Sequence, residues 1–275
     1  MNDFRQQCIE LRDKDYTLPE IVRMTGRAKS SVYFHIRNLP LSALKQQNIK
    51  ERSRKQASQI ALARKGKSIR IFRPFSTWDV PTVCLVSHLL FDGEVNNRGC
   101  TYNNRNISLL KRVEACMKGV YDFEPKKYKN TLTGVLRISY YNVALGAYMQ
   151  QKSLQLLDEI VEAPKELKRE FLRAFFDDEG CMDFRPKERR RGVRGYQKNT
   201  RILKSIQTLL ADFYITATLK LPNEVVVTGK NNLQKFQQEI NFSPGIFING
   251  ERSNSIWKEN LEKRELLIRA LNSFK

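Results

Sequence analysis

Histidine is nearly absent: His35 and His88 are the only two. Histidine-rich metal sites and histidine-centred nuclease motifs are thereby excluded. The five cysteines (Cys8, Cys84, Cys100, Cys116 and Cys181) are odd in number and scattered, with no CxxC pair. They read as reduced thiols, neither a disulfide frame nor a zinc site. No apolar run approaches the 18 residues or so that a membrane span needs, and no amphipathic anchor stands out. The N-terminus, MNDFRQQCIE, has no apolar signal region, so an intracellular protein of the cytoplasm or nucleoid is expected. Acids are also scarce. Asp and Glu number 29 against 49 Lys and Arg, a formal net charge of +20 in 275 residues. That excess points to a polyanionic partner, nucleic acid before a membrane surface.

Residues 1–42 read as a small all-helical domain. Phe4, Cys8, Ile9 and Leu11 lie close to helical spacing. Thr17, Pro19 and Glu20 spell a capping box before a second helix that Gly26 ends. A third helix, about Ser30 to Asn38, puts Val32 and Ile36 on one face, and Pro40 stops it. Two short helices about a glycine turn make a helix-turn-helix candidate, with Lys29, Ser31, Tyr33 and Arg37 turned outward. A plain three-helix cap with a solvated face is the alternative. Residues 43–77 form a basic, partly helical linker. From 42 to 75, ten basic residues, among them Lys65 and Lys67, face the single acid Glu51. Such a run tracks phosphates or is simply a solvated tether.

From Trp78 the chain uses one segment twice, over 78–160 and 161–275. Asp79 and Pro81 open an apolar helix that ends at Gly93, and Pro164 opens another that ends at Gly180. Each is followed by a helix beginning at Asn, with Leu109, Leu110, Val113 and Met117 matching Ile202, Leu203, Ile206 and Leu210. Strand-like VLRISYY and EVVVTGK follow, then a further helix, so each half is αββαββα. A last helix, about Ser255 to Leu271, closes the chain.

Both apolar helices end in an acid and then a glycine: Asp92–Gly93 and Glu179–Gly180. A glycine there is the ordinary left-handed cap. An acid is not, because the helix end is already negative, at about 0.3–1 kcal/mol each. Ser87 and Ala174, at matching distances before the glycines, let two helix backbones approach closely. Packed together, the helices bring two carboxylates and two negative ends to one spot, which repels itself unless a cation fills it. Hard oxygen ligands select Mg²⁺, Mn²⁺ or Ca²⁺. On a basic chain this implies metal-assisted phosphodiester hydrolysis. Asp177 and Asp178 are given no chemistry.

LRAFFDDEG, Leu172 to Gly180, resembles the motif of the LAGLIDADG homing endonucleases at every position in type except Arg173 and Asp178. LVSHLLFDG, Leu85 to Gly93, is a looser match, with Leu90 where an acid is common and Phe91 where a small residue is common. The resemblance covers about residues 78–250. It implies an α+β saddle of two αββαββα repeats in a pseudo-twofold monomer, here preceded by the helix-turn-helix-like domain. It implies that Asp92 and Glu179 bind Mg²⁺, or Mn²⁺, and direct water at two scissile phosphates of double-stranded DNA. The strand regions about 94–105 and 181–198 would lie along the major groove. Arg98, Arg185, Lys187, Arg189, Arg191, Arg194 and Lys198 would then contact DNA, and Arg137 and Lys220 are candidates for basic residues assisting the metal. Relatives of the fold act as non-cleaving transcription regulators or as RNA-splicing maturases, which keeps a regulator and an RNA partner as alternatives. Intein-type splicing residues are absent from the chain ends, as expected of a free-standing protein.

Overall fold

The computed structural model describes residues 2–64, 70–250 and 256–274. Lys65, Lys67 and Ser255 lie outside the described residues. The chain divides into two compact units, Met1–Ile69 and Arg70–Lys275.

The first unit holds α1 (Asn2–Asp13), α2 (Leu18–Thr25), α3 (Lys29–Ile36) and the long α4 (Ala43–Arg64). Its core is small: Cys8, Ile21, Val32 and Ile36, flanked by Phe4, Leu11, Tyr16, Leu18 and Val22. The start of α2 is fixed by the expected cap, the Thr17 amide and hydroxyl both donating to the Glu20 carboxylate at 2.7 Å. Gly26 ends α2 at φ 65°, where a side chain would be strained. α4 buries none of its described side chains. Its charges hold it in water, and tertiary burial contributes little to its helicity.

The second unit is the expected pair of αββαββα halves. The first half is α5 (Val80–Phe91), β1 (Gly93–Asn96), β2 (Gly99–Asn104), α6 (Ile107–Val120), β3 (Lys126–Lys129), β4 (Leu136–Tyr140) and α7 (Val143–Glu159). The second is α8 (Lys165–Asp178), β5 (Gly180–Arg185), β6 (Arg190–Tyr196), α9 (Thr200–Ala211), β7 (Ala217–Lys220), β8 (Glu224–Thr228) and α10 (Lys230–Glu239). Each half folds one antiparallel four-stranded sheet in the same order, β1-β2-β4-β3 and β5-β6-β8-β7. The registers correspond too: Gly93 faces Tyr102 as Gly180 faces Gly195.

α5 is apolar on nearly every side, and α8 along the face it buries, because the two pack against each other at the centre. Phe91 stands edge-on to Phe171 and Phe175 at 5.4 and 5.2 Å. Ser87 and Ala174 are both fully buried, as small residues at a close helix approach would be. The final helix departs from expectation. α11 begins at Lys263 and ends at Asn272. Residues 256–262 are not helical because their backbone is committed elsewhere: the Leu261 carbonyl accepts from the Ile248 amide at 2.9 Å, and Phe247 bridges Glu262.

Candidate nucleic-acid and metal site

Asp92 and Glu179 each stand one residue beyond their helix, as the C-caps of α5 and α8. The following glycines are not the left-handed caps expected, since neither has a positive φ and each begins a strand; they are required for a steric reason. A Cβ on Gly93 would sit 2.4 Å from the Leu89 carbonyl oxygen, and one on Gly180 2.3 Å from that of Phe176. The chain must turn into β1 and β5 against the helix's own last turn, and this turn aims each acid out of the core.

Both carboxyls are half-buried and crowded by like charge. Burial, then the charges of Asp178 and Glu179, push Asp92 up to about 7. Burial, then Asp178, push Glu179 up to about 7. Asp92 accepts one hydrogen bond, from Asn104 Nδ2 at 2.9 Å. The Glu179 carboxylate accepts none among the described residues. Open, mutually repelling carboxylate oxygens are the donor set a hard divalent cation takes, so these residues fit the implied metal. Among the described residues no group of three or more His, Cys, Asp or Glu side chains is arranged to hold a metal, so the candidate set is this pair alone.

Asp177 and Asp178, given no chemistry from the sequence, both have partners in the fold. Neither is solvated. Asp177 is buried and accepts the Ser243 amide at 2.8 Å. Asp178 reaches across to α5, where its Oδ2 lies 2.8 Å from His88 Nδ1, both side chains fully buried. Burial alone would lower the imidazole's pKa, but the Asp178 charge and hydrogen bond outweigh it and hold His88 well above its usual range. Asp178 Oδ1 also accepts the Tyr102 hydroxyl at 2.6 Å.

The cation acting on the acids comes from outside both repeats. Lys263 Nζ donates to the carbonyls of Phe176 and Asp177, at 3.2 and 2.7 Å, capping the negative end of α8. Its charge counters both Asp92 and Glu179. Burial lowers its own pKa, against the pull of Asp177, Asp178 and Asp92. Arg137 and Lys220, the sequence candidates for this place, are exposed on β4 and β7. Arg137 donates to Asn103 Oδ1 at 2.6 Å.

Asp92 opens on a groove of about 1320 Å³ that also reaches Gly180, the residue after Glu179. Asp92 and Lys263 line it with Asn103, Arg105, Arg185 and Trp257. The basic residues named from sequence divide into three groups. Lys29, Ser31, Tyr33 and Arg37 are exposed on or just after α3, and Arg98, Lys187, Arg189 and Lys198 are exposed at hairpin ends. Arg185 and Arg194 share the open face of the second sheet but are held by acids. Arg185 pairs with Asp183 and Glu188 at 3.1 and 3.4 Å; Arg194 pairs with Asp183 at 3.2 Å and with Glu224. Arg191 corrects the expectation, because strand alternation turns it to the other face. There it donates to Ser273 Oγ at 2.6 Å and lies over the Phe274 ring. Arg190, not counted among the contacts, takes the open side opposite Arg185.

Residues 166–241 match the family model described as a LAGLIDADG-like domain. The matched stretch lies within the second αββαββα half, and the first half repeats its topology. No curated protein matches. Solved structures with a similar course include I-DmoI in complex with DNA and manganese (13% identity, 59% of this chain, 97% of that one, TM-score 0.45). Mesophilic variants of the homing endonuclease I-DmoI are similar at 15% identity (60% and 94%, TM-score 0.43). Full-length DUF199/WhiA from Thermatoga maritima is similar at 16% identity (74% and 63%, TM-score 0.49). No helix among the described residues is long and apolar enough to cross a membrane.

Proposed function

We propose that this chain is a site-specific DNA endonuclease that hydrolyses both strands of its target with the help of a divalent cation. One observation carries the proposal: two half-buried carboxylates, Asp92 and Glu179, end the two central helices and are crowded by like charge, beside a groove that Asp92 lines, in a chain of net charge +20. Asp92 and Glu179 would hold Mg²⁺ or Mn²⁺. Such an ion supplies a more acidic water and neutralises charge on the phosphate as it is attacked. The chain's own groups do the rest. Asn104 fixes the orientation of Asp92, and Lys263 keeps the end of α8 from repelling a phosphate outright.

DNA would be read by the open faces of the two sheets. On the first, strand pairing aligns Asn103 with Arg137, and Tyr128 with Arg137, beside Thr101. These are polar side chains suited to base edges. On the second, Arg185 and Arg190 stand opposite each other, with Lys187, Arg189 and Lys198 free at the ends for phosphates. Arg137 joins the DNA face on this account and gives up the metal-assisting part. The exposed side of α3 extends the footprint as the reading helix of a helix-turn-helix module.

A non-cleaving DNA-binding regulator is the second reading. It is favoured by Lys263, a buried amino group already beside the acids. Break mapping on fragmented source DNA with Mg²⁺ separates the two. A recurrent cut that disappears in both Asp92→Asn and Glu179→Gln is the expected result. Tight binding to one sequence with no cut in Mg²⁺ or Mn²⁺ would give the regulator. Preference for structured RNA over duplex DNA in competition would give a maturase.

A further inference from the structure

The pseudo-twofold symmetry is broken where the two central helices cross, and the break is chemical. Laying LVSHLLFDG on LRAFFDDEG sets His88 against Phe175 and Phe91 against Asp178. The contact between His88 and Asp178 and the contact between Phe175 and Phe91 are thus the same contact made twice. Once it is a buried ion pair at 2.8 Å, and once an edge-on aromatic pair at 5.2 Å. The strands follow suit. Matching registers make Tyr102 the counterpart of Gly195. Gly195 has no side chain because Phe175 fills that space, its ring 2.4 Å from where a Cβ would be. Tyr102 fills the equivalent space beside the smaller imidazole of His88, ring to ring at 5.6 Å. Two residues further on, Asn104 matches Gln197. Each accepts a backbone amide, from Asn106 at 2.9 Å and from Asn199 at 3.2 Å.

Only one of the two sides reaches its acid. Asn104 Nδ2 donates to Asp92 at 2.9 Å and also lies within 3.3 Å of the Tyr102 hydroxyl and 3.5 Å of Asp178. The Glu179 carboxylate receives nothing from Gln197. We propose that His88, Asp178, Tyr102 and Asn104 form a positioning chain that fixes the Asp92 carboxylate from the opposite half, while Glu179 is left unheld, so that the two acids are unequal. A buried charge pair is a poor device for stability alone, since an apolar pair packs as well, which the Phe91–Phe175 side demonstrates. Its use here is to fix direction. Asp178, held by His88 and Tyr102, orients the hydroxyl beside Asn104, and Asn104, which also lies 3.5 Å from Asp178, gives its shorter bond to Asp92.

The test has two arms, and only the second rests on the endonuclease reading. In the first, the full chain is labelled with ¹⁵N and the Asn104 side-chain amide is identified by its loss in Asn104→Leu. Tyr102→Phe and Asp92→Asn are expected to shift that amide, and Glu179→Gln to leave it in place. An amide that ignores Tyr102→Phe and Asp92→Asn, or that answers Glu179→Gln as strongly, overturns the chain whether or not the protein cuts DNA. In the second, the duplex recovered by break mapping carries a different label on each strand. Tyr102→Phe and Asn104→Leu are expected to slow by about tenfold or more the strand that Asp92→Asn also slows, the worth of a hydrogen bond to a charged group. The other strand keeps its rate, and Gln197→Leu changes neither. Equal slowing of both strands, or Asn104→Leu behaving like Gln197→Leu, overturns the proposal. If the wild type cuts nothing, the endonuclease reading falls and the amide shifts alone decide the chain.

Discussion

Asp92 and Glu179 are acids held near 7, and this has a definite sign in stability. Between about pH 4 and 7 the folded chain keeps protons that the unfolded chain has released. Stability therefore falls as pH rises through that window and is lowest above it. Asp92→Asn removes the burden. It should stabilise the protein at pH 8 by on the order of 1–2 kcal/mol, discounted for the group's partial exposure, and make little difference at pH 4. Thermal melts at the two pH values check this, and a variant that melts lower at pH 8 would show that Asp92 is stabilised in the fold. The same repulsion makes the site a sink for cations. Ca²⁺ at pH 8 should raise the melting temperature of the wild type and leave the Asp92→Asn, Glu179→Gln double variant unmoved. Both acids were legible in the sequence because each follows an apolar helix and precedes a glycine, a pattern written twice. Their neighbours were not. His88 inside LVSHLLF reads as a core residue, and Asp178 becomes its partner only through the crossing of two helices. Lys263 lies more than eighty residues beyond the acid it serves, and no spacing rule links them.

At the scale of elements, apolar periodicity and caps located the helices well. Thr17, Asp79, Asn142 and Asn199 all carry the side-chain bonds that start a helix. Strand faces were less legible in the basic hairpin. In FRPKERRRGVRG every second residue shares a face, but the turn uses a short 3-10 segment, Pro186–Glu188, with Arg189 left-handed at φ 53°. That turn sets which arginines emerge on the open face, so Arg190 came out and Arg191 turned in. The close approach of β6 to α8 gives a prediction of its own. Gly195→Ala drives a Cβ to 2.4 Å from the ring of Phe175, which is fully buried against Phe91 and Phe176 and cannot retreat. The expected loss is about 1–3 kcal/mol, read by urea unfolding. Gly119, exposed on α6 with no atom within 4 Å of an added Cβ, is the control. There Gly119→Ala should stabilise by about 0.5–1 kcal/mol.

At the scale of the whole molecule, the proposed function would divide the work of binding between the two units. Residues 70–275 hold the large core, both sheets and both acids. Residues 1–69 hold a separate small core, with the exposed face of α3 and the charged length of α4. Cleavage chemistry and the position of the cut belong to the larger unit under the proposed function. The smaller unit would add phosphate and groove contacts on that reading. Deleting residues 1–69 should therefore leave a protein that unfolds in one cooperative transition and cuts at the same phosphates, but binds its target more weakly. Salt dependence discriminates between kinds of loss. Each phosphate contact given up lowers the slope of log K against log salt by about 0.9, whereas lost apolar or base contacts weaken binding without changing the slope. Titrations of both proteins on one duplex, at several salt concentrations, measure it. A shallower slope in the shortened protein means that the basic α3–α4 surface lies along the DNA backbone. An unchanged slope and affinity mean that the first unit serves some other partner, and that the saddle binds its site alone.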